Sequence, residues 1–369
     1  MACKNVNLEH QLLLSAAESL LANNIPFCLF RYPNEMRWAL AIPDDILPHE
    51  KQTTFWSVPF SKHHSAAKEI KLGVVIPGFI NKLFIQKIKS LEVCPPFEEK
   101  DLPEETSRQH YFNAISHYLS DIRSGKLSKA ILSRVVYADR PADFDVLQCF
   151  SRLADAYAGT FVHLLVHPDA GIWLGASPEL LLKKRDDVLD VMALAGTQAR
   201  NANHNYQWRD KEIQEHLMVA QHIERVMAMH HCSLSHKDLM TTVETGKVAH
   251  LKTDYRFLSD VNVSLEPLLK DLHPTPAVGG LPVNESMQCI ASYEGYDRTY
   301  YTGFIGTTDF RSEADFYVNL RCMQVGKQHI AVYAGGGITA GSDPREEWDE
   351  TVLKSRTMLE HIKMVKECL

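Results

Sequence analysis

Nowhere in the sequence do about 18 apolar residues stand together, so no transmembrane helix is expected. A strong charge of one sign is missing too. Lysine and arginine total 39 against 46 acidic residues, a formal net charge of −7, so there is no field to draw phosphate backbones and nucleic acid is excluded as a partner. The cysteines Cys3, Cys28, Cys94, Cys149, Cys232, Cys289, Cys322 and Cys368 stand singly, with no C-x-x-C pair, and read as reduced, mostly structural thiols. The apolar stretch Leu12–Ala17 is preceded by Glu9 and His10 and interrupted by Glu18, with no small-residue cleavage pattern after it. It does not read as a secretion signal, and the cytoplasm is the expected location. Internal repeats and low-complexity tracts are lacking as well.

What is present suits a soluble protein with a sizeable core: 369 residues, 45% hydrophobic and 23% charged, enough for one large or two ordinary domains. The stretch from Cys94 to Gln109, rich in proline and acid, reads as a surface connection and places a boundary near residue 105. Residues 1–105 carry short β-rich runs (Gly73–Ile76, Leu83–Ile85) expected to complete a sheet, and 106–369 form the expected catalytic core. There, Thr106 or Ser107 caps a helix with Tyr111, Ile115, Leu119 and Ile122 on one face, ended by Gly125. Strands are predicted at Ala130–Tyr137, Phe161–Val166, Leu180–Leu182, Phe316–Met323 and His329–Tyr333. Amphipathic helices are predicted from Lys211 to Met229 and after the cap Asp343-Pro344. The mixture indicates an α+β or mixed α/β architecture.

Three carboxylate groupings stand out: Glu179 after Gly175-Ala-Ser-Pro, Glu212 with Glu215, and Glu347 with Glu350. Glu347, Glu350 and Lys354 fall at i, i+3 and i+7 on one helix face. Hard oxygen donors, few in number, suit Mg²⁺ better than zinc; the same spacing also describes solvated helix faces paired to nearby lysines. Lys129 opens a strand with Ile131 and Ser133 on its side, where desolvation can make a lysine a base, unless its head reaches water. Glycine turns at Leu194-Ala-Gly-Thr197 and Ala334-Gly-Gly-Gly337 bring backbone amides near a cleft, as tight turns or as a carboxylate cradle. Neither is followed by Gly-Lys-Ser or Gly-Lys-Thr, so no nucleotide cofactor is supported. Ser177 lacks the closing glycine of a nucleophile elbow, and the spacing of His230, His231, Cys232 and His236 fits no standard zinc site.

Taken together, Lys129-Ala-Ile-Leu-Ser-Arg134, Gly175-Ala-Ser-Pro-Glu179, Leu194-Ala-Gly-Thr197, Lys211-Glu-x-x-Glu-His216, His273-Pro-Thr-Pro-Ala277, Tyr301-x-Gly303, Arg321-Cys322, Ala334-Gly-Gly-Gly337 and Glu347-Trp-x-Glu350 resemble the chorismate-utilising enzymes, and within them the isochorismate synthases most. The resemblance implies an α+β fold like that of anthranilate synthase component I, with large sheets and outer helices around a central cleft. It implies a magnesium-dependent isomerase that adds water at C2 of chorismate and expels the C4 hydroxyl, with Lys129 as base and Glu179 as acid. It further implies Glu215 and Glu350 as metal ligands with Glu347 and Glu212 nearby, and Gly196, Thr197, Tyr301, Arg321, Gly335 and Lys354 around the substrate, His216 being a weaker candidate. Lysine at 129, where ammonia-using members carry glutamine, implies water as nucleophile and no glutaminase subunit. Ala195 stands where aminodeoxychorismate synthases commonly place a nucleophilic lysine, and Gln198 where many relatives have arginine. Salicylate synthase, which goes on to expel pyruvate, shares the lysine and glutamates. The pathway served, menaquinone or catechol siderophore, stays open.

Overall fold

The computed structural model describes residues 2–61, 67–97, 100–259 and 263–362; Cys368, and Glu367 beside it, lie outside these. The predicted helix caps form. Ser107 accepts from the His110 amide and starts the helix Arg108–Arg123, and Asp343 accepts from the amides of Arg345 and Glu346 at the head of the helix Pro344–Ile362. Among the described residues no helix is long and apolar enough to cross a membrane.

The strands form one antiparallel ribbon. Its order runs from Gly280–Leu281 through Lys129–Asp139, His329–Ile338, Cys322–Val325, Gly171–Ser177, Phe161–His167 and Phe27–Arg31. It continues through Trp38–Ile42, Ile70–Val74, Thr54–Val58, Phe304–Thr308, Glu313–Val318, Leu180–Arg185, Val188–Ala199 and Val248–Leu258. Ser233–Lys237 and Thr241–Thr245 share the far edge of the last strand. The strands before residue 105 are thus hydrogen-bonded into the sheet on both sides, to Phe161–His167 and to Phe304–Thr308. Helices cover the outside. Asp210–Met229 and Leu265–Leu272 bury Val219, Ile223, Val226, Leu268 and Leu272 over one part of the sheet, while Ala2–Ala22 and Val146–Ala156 cover another. An aromatic-rich cluster, including Phe161, Trp173, Tyr301 and Tyr333, fills the space between.

The turns expected at Leu194–Thr197 and Ala334–Gly337 are instead segments of strands, Val188–Ala199 and His329–Ile338, because both are held in antiparallel ladders, the first with a register shift near Gly196. Two other expected elements also come out differently. Leu83–Ile85 belongs to a helix, Lys82–Lys89, because Asn81 caps it by accepting from the Phe84 amide and because Phe84, Ile85 and Ile88 then bury one face, a helical period that a three-residue β-rich run conceals. The single strand Phe316–Met323 is two, Glu313–Val318 and Cys322–Val325. The break falls where Arg321 takes φ 47, a left-handed conformation costly for a residue with a Cβ.

The strand Lys129–Asp139 is pinned from below by a buried ion pair. Arg298 and Glu294 meet at 2.7 and 2.5 Å, Glu294 also accepts from the Ser133 amide and hydroxyl, and Arg298 donates to the Ile131 and Val278 carbonyls. Glu294→Ala leaves the arginine charge buried and unpaired, so the variant is expected to lose about 3–5 kcal/mol of stability in denaturant unfolding. A loss below about 1 kcal/mol removes the pair from its structural role.

Candidate active site

A cleft partly open to solvent forms where three structures meet: the glycine end of His329–Ile338, the Leu194–Thr197 segment of the strand Val188–Ala199, and the helix Pro344–Ile362. Glu179, Gly196, Thr197, Glu215, Tyr301, Arg321, Gly335 and Lys354 all line it. Residues far apart in sequence are gathered because the ten-residue ladder of Lys129–Asp139 with His329–Ile338 sets Gly337 opposite Ile131, while Thr197 lies opposite His250 in the ladder of Val188–Ala199 with Val248–Leu258.

Glu179 is the distinctive group. It is fully buried, its Oε1 has no hydrogen-bond partner, and burial raises its pKa to about 8, opposed only in part by the positive charges of Lys129 and Lys354 and by the Thr275 hydroxyl. Such a carboxyl keeps its proton at neutral pH and can donate it into the cleft. Ser177, two residues earlier, spends its hydroxyl on the Val318 carbonyl, which removes it as a nucleophile.

Across the cleft stands a buried cation that has no anionic partner among the described residues. Arg321 donates to the Thr357 hydroxyl at 3.2 Å and to His250 Nε2 at 2.9 Å. Because arginine can only donate, His250 Nε2 accepts, and its Nδ1–H faces the Gly196 carbonyl at 3.0 Å. Burial, then the charges of Arg321 and Lys354, hold His250 well below the usual histidine range, consistent with that neutral tautomer. The position of His250 carried no signal in the sequence, where a lone histidine in an alternating strand is unremarked; its partners become visible only through the strand register. Thr275, Ala277, Val278, Thr302 and Tyr333 are further cleft groups to which no role was assigned from the sequence.

The carboxylates approach the glycine segment of the strand His329–Ile338. A Cβ on Gly337 would stand 2.3 Å from Glu215 Oε1, and one on Gly336 would stand 3.2 Å from Glu347 Oε2 and 3.3 Å from Glu350 Oε1. Each of the three carboxylates also holds a lysine: Glu215 with Lys129 at 3.0 Å, Glu350 with Lys354 at 2.7 Å, and Glu347 with Lys211. Burial, followed by the negative charge of Glu350, raises the pKa of Glu347. Among the described residues no three His, Cys, Asp or Glu side chains already form a metal cage. The donor set nevertheless fits a hard divalent cation: carboxylate oxygens only, three of them directed at one side-chain-free stretch of backbone.

Lys129 is wholly buried and does not itself form the cleft wall; it lies behind Gly337, whose added Cβ would touch Lys129 Cε at 3.0 Å. Glu212 lies apart from the converging carboxylates. Its side chain binds the Arg209 guanidinium at 2.7 Å and the Arg209 amide at 3.1 Å, fastening the head of the helix Asp210–Met229. His216 turns Nε2 to the Thr253 hydroxyl at 2.9 Å. Gly335 accepts from Lys354 through its carbonyl at 3.0 Å. Gly196 combines φ +76 with a close approach to Glu212, so a side chain there is excluded on both counts.

Residues 64–363 match the family described as "Chorismate binding enzyme". The chain is 34% identical over 264 residues to the vibriobactin-specific isochorismate synthase of Vibrio cholerae, covering 69% of this chain and 66% of that protein. It is 30% identical over 318 residues to isochorismate synthase DhbC of Bacillus subtilis, covering 82% and 79%. The fold is similar to that of MenF, the menaquinone-specific isochorismate synthase from Escherichia coli, with a TM-score of 0.72 at 21% identity over 92% of this chain and 89% of that one.

Gly337→Ala forces its methyl group onto Glu215, so it is expected to lower kcat/KM by about 10²-fold or more with thermal unfolding nearly unchanged, since displacements of about 1 Å carry such costs. Gly341→Ala, with nothing within 4 Å of its added Cβ, serves as the control and is expected to be silent. Equal behaviour of the two variants would detach the glycine segment of the strand from catalysis.

Proposed function

Because the chain belongs to the chorismate-binding enzyme family, we propose that it is an isochorismate synthase, a hydroxymutase that converts chorismate to isochorismate. The observation that carries this reading is Glu179, a buried carboxyl with a free oxygen in the cleft and a pKa of about 8. An acid that is protonated at neutral pH is what the departure of a hydroxyl from a ring carbon requires.

In the proposed reaction Lys129 reacts as its neutral amine, the proton it shares with Glu215 having been released, and takes a proton from water as the oxygen–C2 bond forms. The ring double bonds shift, and Glu179 delivers its proton to the C4 hydroxyl, which leaves as water. One water enters and one departs, and solvent exchange returns Glu179 and Lys129 to their starting states. Arg321, free of any carboxylate partner, suits a substrate carboxylate, with its guanidinium oriented by His250 and Thr357. Lys354 supplies a second positive charge at the opposite glycine wall. Tyr301, whose hydroxyl lies 3.0 Å from where a Gly335 Cβ would stand, and Thr197 shape the remaining polar wall. Glu215, Glu350 and Glu347 are the residues that would hold Mg²⁺, whose chemistry there is neutralisation of anionic oxygen. Glu212, committed to Arg209, contributes by fixing the helix that carries Glu215. The enzyme acts without a glutaminase partner, because a lysine at 129 selects water.

The test is product analysis with chorismate, Mg²⁺, ammonium and ¹⁸O-labelled water. The expected product carries one labelled oxygen and no nitrogen and appears without stoichiometric pyruvate; salicylate with pyruvate, or an aminated product, overturns the reading. The acid assignment has its own profile. Glu179 is protonated below about pH 8, so kcat/KM is expected to fall as pH rises through that value, with Glu179→Gln and Lys129→Gln each slower by about 10²- to 10⁴-fold. An unchanged alkaline limb in a still active Glu179→Gln enzyme would assign the limb to another group.

A further inference from the structure

The helix heads behind the cleft leave a second opening, lined by Thr197, Gln198, Arg209, Lys211, Glu347 and Glu350 among others. Thr197 lines both spaces, Glu215 lines the cleft, and Glu347 and Glu350 line the second opening, so the carboxylates stand between the two. Of the three lysines that hold carboxylates here, Lys354 lines the substrate cleft and Lys129 lies behind the side-chain-free Gly337 against Glu215, whereas Lys211 lines the second opening. Its ammonium sits on Glu347 Oε1, while Glu347 Oε2 is directed toward Gly336, where Glu350 Oε1 also points. One oxygen of Glu347 therefore serves the lysine and the other the convergence point.

We propose that Lys211 is the resident cation of this cluster: it neutralises Glu347 in the metal-free protein, yields that carboxylate by swinging into the second opening when a divalent ion binds, and so sets the affinity for the ion. The inference rests on the metal reading of the carboxylates given above. Lys211 suits the exchange for a physical reason. It is a point charge on a flexible stem, able to leave one oxygen without any backbone movement. The backbone beneath it is held independently, since Arg209 binds Glu212 at 2.7 Å and Glu346 at 3.2 Å, joining the heads of the helices Asp210–Met229 and Pro344–Ile362. An ion arriving at Glu347 thus competes with an ammonium already in place, and the ammonium's departure is part of the binding free energy.

The experiment uses the full chain without chorismate. Mn²⁺ binding is followed by the free-ion electron paramagnetic resonance signal and Mg²⁺ binding by calorimetry, for wild type, Lys211→Met, Lys211→Gln and Lys211→Arg. The expected result is affinity tightened by roughly tenfold in the Met and Gln variants, the scale of one partly buried ion pair, and affinity within about twofold of wild type for Lys211→Arg. The metal-free Met variant is also expected to unfold at a lower temperature than metal-free wild type, with the deficit closing on adding Mn²⁺. The Gln variant keeps a polar partner for Glu347 and supplies the measurement should the Met variant not fold. Unchanged or weakened affinity in the folded neutral variants, with wild type binding normally, overturns the resident-cation role alone. Absence of binding by wild type overturns the metal reading and this inference together.

Discussion

Every functional feature depends on the register between Lys129–Asp139 and His329–Ile338. In that ladder Ser133 stands opposite Gly335 and Ile131 opposite Gly337, so a strand that begins with the buried lysine is matched to one that ends without side chains. A slip of one residue would turn the alternation inside out, placing Lys129 on the wrong face and a side chain where Gly337 admits Glu215. The neighbours over-determine this register. The Glu294–Arg298 pair grips Ser133 and the Ile131 carbonyl from one side, and Lys354 grips the Gly335 carbonyl from the other. The two grips act on adjacent strands at the same level, so the site and the stability of the ladder are parts of one arrangement.

The electrostatics divide into groups that are satisfied within the protein and groups that are not. Glu215, Glu347 and Glu350 each have a lysine, and Glu294 has Arg298. Arg321 has only neutral partners, and Glu179 has an oxygen with none. A buried unpaired arginine and a buried carboxyl with an idle oxygen are both costly, and both face the same cleft. For Glu179 the sign of the cost can be worked out. Its folded-state pKa is raised from 4.5 to about 8 by burial, so the folded chain binds the proton more tightly than the unfolded chain. The contribution to stability is complete below about pH 4.5 and is lost as pH rises to about 8. At neutral pH part of that cost is already being borne, which is the expected mark of a residue kept for chemistry rather than for folding.

Much of this was legible in the chain. The capping serine and aspartate at Ser107 and Asp343 were local signals and placed two helices correctly, since a cap is an interaction between neighbours in sequence. The spacing of Glu347, Glu350 and Lys354 carried over to one helix face for the same reason. The alternative that such carboxylates pair with lysines also proved accurate in geometry, because both partners lie on the cluster that a metal would occupy. What could not be read were relations across strands and between helices. His250 became a partner of Arg321 only through the pairing of two distant strands, and the break at Arg321 is imposed by tertiary packing against the apolar, β-rich sequence from Phe316 to Met323. Leu83–Ile85 was misread because three apolar residues in a row fit both periods, and the deciding groups, Asn81 and Ile88, flank the run.

The division between the two openings bears on how a single site can handle a polyanionic substrate and a cation together. A carboxylate cluster exposed on the substrate side would repel the ligand that Arg321 attracts, at distances where little water screens it. Here each of the three carboxylates carries a lysine, and Glu215 is the one that lines the cleft, beside the backbone of Gly335 to Gly337 and Lys354. Arg321 and Lys354 supply the anion-attracting charge, while Glu347 and Glu350 approach a strand segment whose glycines put no side chain in their way. Placing glycine at both Gly336 and Gly337 thus lets acidic groups approach the substrate site closely while lysines on the carboxylates prevent them from closing it to an anion.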